Sequence, residues 1–148
     1  MKLLTSTDKK KIIGQLSQQF GIEKIPYLLL QFGIEKIRIY SGSLPKEELS
    51  ILDRELRIET AGLYFLKLEK DGIRLNFDAI PIFKEQITKN ILEISDEQMI
   101  QWFRGNELPI KAEQSFKILK NKGEFIGCGK STGEKITNFV SKERRIKS

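Results

Sequence analysis

The chain has 148 residues, 39% hydrophobic and 31% charged, a mixture that folds around one good core or two small ones and is too apolar for wholesale disorder. With no histidine and a single cysteine, it has no Ser-His or Cys-His nucleophile, no imidazole base or metal ligand, no intrachain disulfide and no cysteine zinc site. Its net charge of +6 lies wholly in residues 117–148, and a surplus gathered at one end of a small protein attracts a polyanion, most commonly a phosphate backbone.

Met1-Lys2-Leu3-Leu4 is followed at once by polar residues, too short and polar a start for a signal peptide. No apolar run approaches the roughly 18 residues that span a bilayer, so a cytoplasmic location without a membrane partner is expected. Thr7 or Asp8 is placed to cap a first helix to about Gln19, with Ile12, Ile13, Leu16 and Phe20 on one face and Gly21 as its stop. Pro26 forces an extended entry into a buried strand at 27–30. After a turn at Gly33, the segment 36–40 alternates polar and apolar residues as a half-buried strand. Ser43 can cap a second helix over 45–56, with Pro45 in its favoured first turn. Residues 63–68 and 73–77 then flank Lys70-Asp71-Gly72, a hairpin signal. Ile80-Pro81-Ile82-Phe83 is expected to leave the sheet at Pro81, and 84–90 reads as the linker between halves, with the domain boundary near Lys84.

The second half opens with a strand at 91–94. Ser95 with Gln98 has the capping-box spacing, starting a short helix through Trp102 and Phe103 that Gly105-Asn106 ends. Three strands follow at 116–120, 124–129 and 136–140, joined by Asn121-Lys122-Gly123 and Ser131-Thr132-Gly133. Short strands at this spacing predict a small barrel-like sheet. The heptapeptide Gln19-Phe-Gly-Ile-Glu-Lys-Ile25 recurs at 31–37, the first copy across a helix stop and the second across a strand turn, so that tertiary context decides what the same residues become.

Gly129-Lys130-Ser131 is not a phosphate-binding P-loop, because Glu124 stands where the motif needs its first glycine and a strand pattern follows instead of a helix. Gly127 and Gly129 read instead as a strand end permitting a bulge or close backbone approach, an arrangement that also suits RNA with Lys130 alongside. Trp102, Phe125 and Phe139 have the spacing of core residues before that of base-stacking platforms, and Cys128 reads as a buried small hydrophobe. The pairs Glu47-Glu48 and Asp96-Glu97 point in diverging directions and favour helix N-termini instead of forming an acid/base dyad. Lys117, Lys120 and Lys122 fit the solvent face of an alternating strand. The sharper signal is Lys142-Glu-Arg-Arg-Ile-Lys147, where Ile146 inside a basic cluster implies that the segment docks and fixes the directions of Arg144 and Arg145, whose planar forks grip phosphate.

The stretches Trp102-Phe-Arg-Gly-Asn-Glu-Leu108, Phe116-Lys-Ile-Leu-Lys120, Phe125-Ile-Gly-Cys-Gly-Lys130 and Val140-Ser-Lys-Glu-Arg-Arg-Ile146 resemble the PUA domain, an RNA-binding pseudo-barrel. The resemblance extends to the archaeal Nip-seven-type ribosome-biogenesis factors and to the PUA-like domain of NOL/NOP- and Fmu-type RNA cytosine methyltransferases. It departs at Ser141, where proline is expected. It implies an α+β fold, with a small N-terminal α/β domain over 1–84 and a C-terminal PUA pseudo-barrel over 91–148. It further implies RNA contacts at Lys142, Arg144, Arg145 and Lys147, with Lys130 nearby. Nothing matches a methyl-donor site or a pseudouridylation aspartate, and Asp78 reads as a lone strand carboxylate. The expectation is a non-enzymatic protein that needs no cofactor and contacts rRNA, or else tRNA, during ribosome subunit assembly, with a protein partner on its N-terminal domain. The alternative is an RNA-recruiting accessory subunit of an RNA-modifying enzyme. Four cations each neutralising one phosphate would give a log-log salt slope of about −2.8 on single strands.

Overall fold

The computed structural model describes residues 2–40 and 62–146. The helix expected over 45–56, the Glu47-Glu48 pair and Lys147 lie outside them. Strand β1 (Lys2–Leu3) leads into helix α1 (Ser6–Phe20), which is followed by β2 (Leu28–Phe32), β3 (Lys36–Tyr40), β4 (Leu63–Glu69) and β5 (Gly72–Leu75). These five strands form an antiparallel sheet in the order β1-β2-β3-β4-β5. Thr5 caps α1, its hydroxyl accepting from the Asp8 N–H at 3.1 Å, so the cap lies two residues before the nearer of the two expected. A residue in extended conformation whose side chain reaches the third N–H is the geometric requirement, and Thr5 meets it at ψ 165°. Gly21, at φ 88°, ends the helix as expected, and Ile12, Leu16 and Phe20 are buried against the sheet.

The chain leaves the sheet at Asn76, earlier than expected. A 3-10 turn (Phe77–Ala79) runs into the one-turn helix α2 (Ile80–Phe83), and Pro81 occupies its first turn, where a missing N–H costs nothing. Phe83 stacks on Phe65 with ring centroids 4.9 Å apart, seating α2 on the sheet. Residues 84–90 are tied down. Ile87 is buried, the Thr88 N–H donates to the Phe20 carbonyl, and the Gln86 amide oxygen accepts from the Glu23 and Lys24 N–H groups.

The second sheet, in the order β6-β7-β8-β9, comprises β6 (Ile91–Glu93), β7 (Ser115–Asn121), β8 (Glu124–Ser131) and β9 (Ile136–Thr137). Only β6 with β7 is parallel, and helix α3 (Asp96–Phe103) makes the intervening connection. The architecture is α+β, with the second sheet curled into a half-barrel. Both partners of the Ser95/Gln98 capping box are in place, and Asp96 and Glu97 occupy the first turn of α3. Lys122 at φ 47° and Gly123 at φ 84° form the two-residue turn between β7 and β8 that a right-twisted hairpin demands. Strand β9 is shorter than expected because Asn138 turns away from the ladder, its amide nitrogen donating to the carbonyls of Trp102 and Asn106.

One core runs across both sheets: Phe116, Ile118 and Cys128 pack with Leu16, Phe20, Phe65 and Ile73. A smaller cluster around Trp102, Leu119 and Ile136 fills the half-barrel. Gln19 ties α1 to β5, its side-chain amide donating to the Ile73 carbonyl at 2.6 Å and accepting from the Ile73 N–H at 3.0 Å. Its own carbonyl accepts from the Asn90 amide at 2.5 Å.

Candidate nucleic-acid interface

The site is built outward from Trp102. The indole lies against two glycines of β8: a Cβ on Gly127 would meet Nε1 at 3.0 Å, and one on Gly129 would meet the indole Cη2 at 2.8 Å and the Ile136 side chain at 2.5 Å. The close approach expected at these glycines is therefore made by a tryptophan ring. Trp102 is 1% exposed, and its indole N–H has no acceptor among the described residues.

The tail is held against this platform. The Asn138 side-chain oxygen accepts from the Val140 N–H at 2.7 Å, and a 3-10 turn (Lys142–Arg144) follows Ser141. Ser141 has φ −64°, the value proline would impose, so the serine adopts the expected entry geometry. The Arg144 guanidinium donates to Asp78 at 2.7 Å and lies 5.2 Å from the Phe77 ring centroid. That hydrogen bond raises the Arg144 pKa above its ordinary value. Arg145 donates from Nε to the Val140 carbonyl at 3.1 Å and packs over Gly105. The Ile146 N–H donates to the Phe103 carbonyl at 2.7 Å, while its side chain stays half exposed, so the tail docks through backbone instead of by burying isoleucine. Lys142 is exposed.

Lys130 stands apart from this group. It pairs with Asp71 in the turn between β4 and β5 and lies 5.5 Å from the Phe116 ring centroid. The Lys130 hydrogen bond holds the Asp71 carboxyl below the usual carboxylate range. Lys117 does not face solvent: it is 8% exposed and donates to the Asn90 side-chain oxygen at 3.1 Å. Strand β7 is covered on both faces where the two halves meet, so alternation there does not separate core from water. Lys122 does face solvent, pairing with Asp96 at 2.8 Å; that bond raises the lysine pKa and lowers that of the carboxyl. Asp78 is neither on a strand nor alone, since it lies in the 3-10 turn and anchors Arg144.

Between the two sheets, beneath the tail, opens a cleft of about 650 Å³. Tyr64, Phe77, Phe103 and Phe139 supply aromatic walls, and Arg74 and Arg144 stand among them. Arg74 lies 4.2 Å from the Phe139 ring centroid. Charge counting could not have found Arg74 or Asp78, because the acidic and basic side chains of residues 1–116 cancel. Cys128 also lines the cleft, and burial pushes its thiol up to about 12, which removes it as a nucleophile.

The family described as the methyltransferase RsmF PUA domain matches residues 89–146. A ribosomal RNA small subunit methyltransferase F of Psychromonas ingrahamii is 25% identical over 146 residues, covering 94% of this chain and 29% of that protein. Proteins of the same description from two strains of Aliivibrio fischeri are 28% identical over 90 residues, 60% of this chain and 19% of theirs. The chain thus spans less than a third of the length of the curated relatives it matches. These matches fall on the methyltransferase arm of the resemblance, the family model over the segment that carries α3, the second sheet and the docked tail, and the Psychromonas relative over nearly the whole chain. Residues 89–146 are thus similar to the PUA domain of RsmF-type methyltransferases, within the resemblance to the Fmu and NOL/NOP proteins.

Proposed function

We propose that this chain binds ribosomal RNA through a C-terminal domain over 91–148, and that it does so without performing chemistry on it. The N-terminal α/β unit over 1–84 serves as its support and as the surface for a protein partner. The observation that carries the reading is the basic tail, held by backbone and ion-pair contacts on a half-barrel of the RsmF PUA type. Anchored cations can follow a phosphate chain at little entropic cost, and positioning contacts of this kind fix register without reading sequence. The matched relatives are rRNA methyltransferases, which favours the accessory role, delivering RNA to a methylating enzyme, over an independent role in subunit assembly.

Arg144 already has its charge answered by Asp78, so the tail offers Lys142, Arg145 and Lys147 as the cations that displace counterions. The log-log salt slope on single-stranded RNA is then about −2.1, shallower than four independent cations would give. Anisotropy of a labelled small-subunit rRNA fragment between 50 and 300 mM salt, on the order of the range where such slopes are read, measures it. Lys142→Glu is expected to flatten the slope by about 0.7 or more and to leave the melting temperature unchanged. An unaltered slope removes the tail from the interface. Co-purification with a methyltransferase that gains activity on addition of this chain supports the accessory role, and activity indifferent to the chain removes it.

A further inference from the structure

We propose that the cleft beneath the tail receives one unstacked RNA base, with the Trp102 indole N–H as its hydrogen-bond donor. The proposal deepens the RNA-binding reading and rests on it. A buried N–H without an acceptor is rare in folded proteins, because it forfeits its bond to water and gains nothing in return. Trp102 is almost wholly buried, has no acceptor for its N–H among the described residues, and lines the cleft. An acceptor arriving through the cleft would satisfy it.

The walls decide what carries that acceptor. At about 650 Å³ the cleft lies within the usual range for small-molecule sites and has room for a base with its sugar. Phe77, Phe103 and Phe139 present ring surface, which stacks on any base because every base has a π-face. The two guanidinium groups are already engaged, Arg74 over Phe139 and Arg144 with Asp78 and Phe77. A phosphate would therefore meet a single cation without an ion pair among the described residues, Arg74, set among aromatic rings, whereas a neutral, flat heterocycle with a carbonyl or ring-nitrogen acceptor meets both the rings and the donor. The phosphates on either side would remain outside, within reach of Lys142 and Arg145.

Trp102 is the only tryptophan in the chain, so its emission reports on the cleft alone. The experiment titrates the full chain with single-stranded hexaribonucleotides of U, C or A and with an abasic hexamer of the same backbone, reading tryptophan emission and, with labelled oligomers, anisotropy. The expected result is a saturable change in emission with at least one base-bearing hexamer, bound about tenfold more tightly than the abasic one. Trp102→Phe, which keeps a ring and removes the N–H, should lose most of that difference while still binding the abasic chain as before. Equal affinity for base-bearing and abasic hexamers with silent emission overturns the proposal and leaves tail-mediated RNA binding intact. Binding to none of the hexamers also overturns it, and the rRNA-fragment titration then decides separately whether the RNA-binding reading survives. The abasic comparison needs no variant, so it stands even if Trp102→Phe proves unstable.

Discussion

A side chain's surroundings override its identity throughout this protein, and the repeated heptapeptide shows it residue by residue. Phe20 and Phe32 occupy equivalent places in the two copies, as do Ile22 and Ile34, yet Ile22 is 0% exposed and Ile34 85%. Each copy places glycine at positive φ, Gly21 at 88° and Gly33 at 66°, so the one position whose backbone is constrained behaves alike in both. Cys128 makes the same point through its ionisation. Its folded pKa of about 12 exceeds the ordinary 9.0, so the neutral thiol is favoured in the folded state. The resulting stability is fully present below about pH 9 and is lost as pH rises toward 12, at about 1.4 kcal/mol per pH unit. Urea unfolding of the native chain and of Cys128→Ala, compared from pH 8 to 11 (roughly the window of the shift), should show the native protein losing its advantage as the solution becomes more alkaline. Parallel curves would mean that the thiol is not buried in the folded state.

Among the elements, the hairpin turns, the stop of α1 and the cap of α3 were legible because their signals span at most four residues, whereas the α1 cap lay two residues before the nearer candidate. Ser95 with Gln98, Gly21, and Lys122 with Gly123 all behave as their sequence demands. Strand faces were less legible. The alternation that places Lys117 toward water fails because β7 lies at the meeting of two halves, and Asn90, remote in sequence, supplies the acceptor that makes burial tolerable. The turn between β4 and β5 likewise reaches β8, where Asp71 captures Lys130. Lys130 would have to leave Asp71 to meet RNA. Asp71→Asn should strengthen RNA binding about two- to threefold at low salt if Lys130 contributes, and should move the melting temperature by no more than about 2 °C, since the pair is largely exposed. Unchanged affinity would make Lys130 a strut between elements and not an RNA contact.

At the scale of the whole molecule, the two halves share a core. Phe116, Ile118 and Cys128 are buried among residues of α1 and the first sheet, and Gln19, Asn90 and Lys117 form a hydrogen-bonded chain across the proposed boundary near Lys84. Removing either half would expose apolar surface on the other. The expected consequence is one cooperative transition: thermal melts followed by far-ultraviolet dichroism and by Trp102 emission, which report on the whole chain and on the half-barrel respectively, should coincide. Separated midpoints would show that the halves are independent. The cleft is a product of the same union, because its walls come from β4, β5 and the Phe77–Ala79 turn on one side and from α3, β8 and the tail on the other.

The amino-acid sequence by itself determined where α1 stops, where α3 starts and where the hairpin turns lie, that the excess charge lies at the C-terminal end, and that the segment from residue 91 resembles a PUA domain. Those properties depend on neighbours in the chain or on simple sums. Only the tertiary structure decided that Asp78 neutralises Arg144, that Asp71 occupies Lys130, and that Trp102 fills the space left by two glycines and keeps a donor without an acceptor among the described residues. Each is a contact between residues from 25 to 66 positions apart, set by how two sheets pack, and no local pattern encodes it.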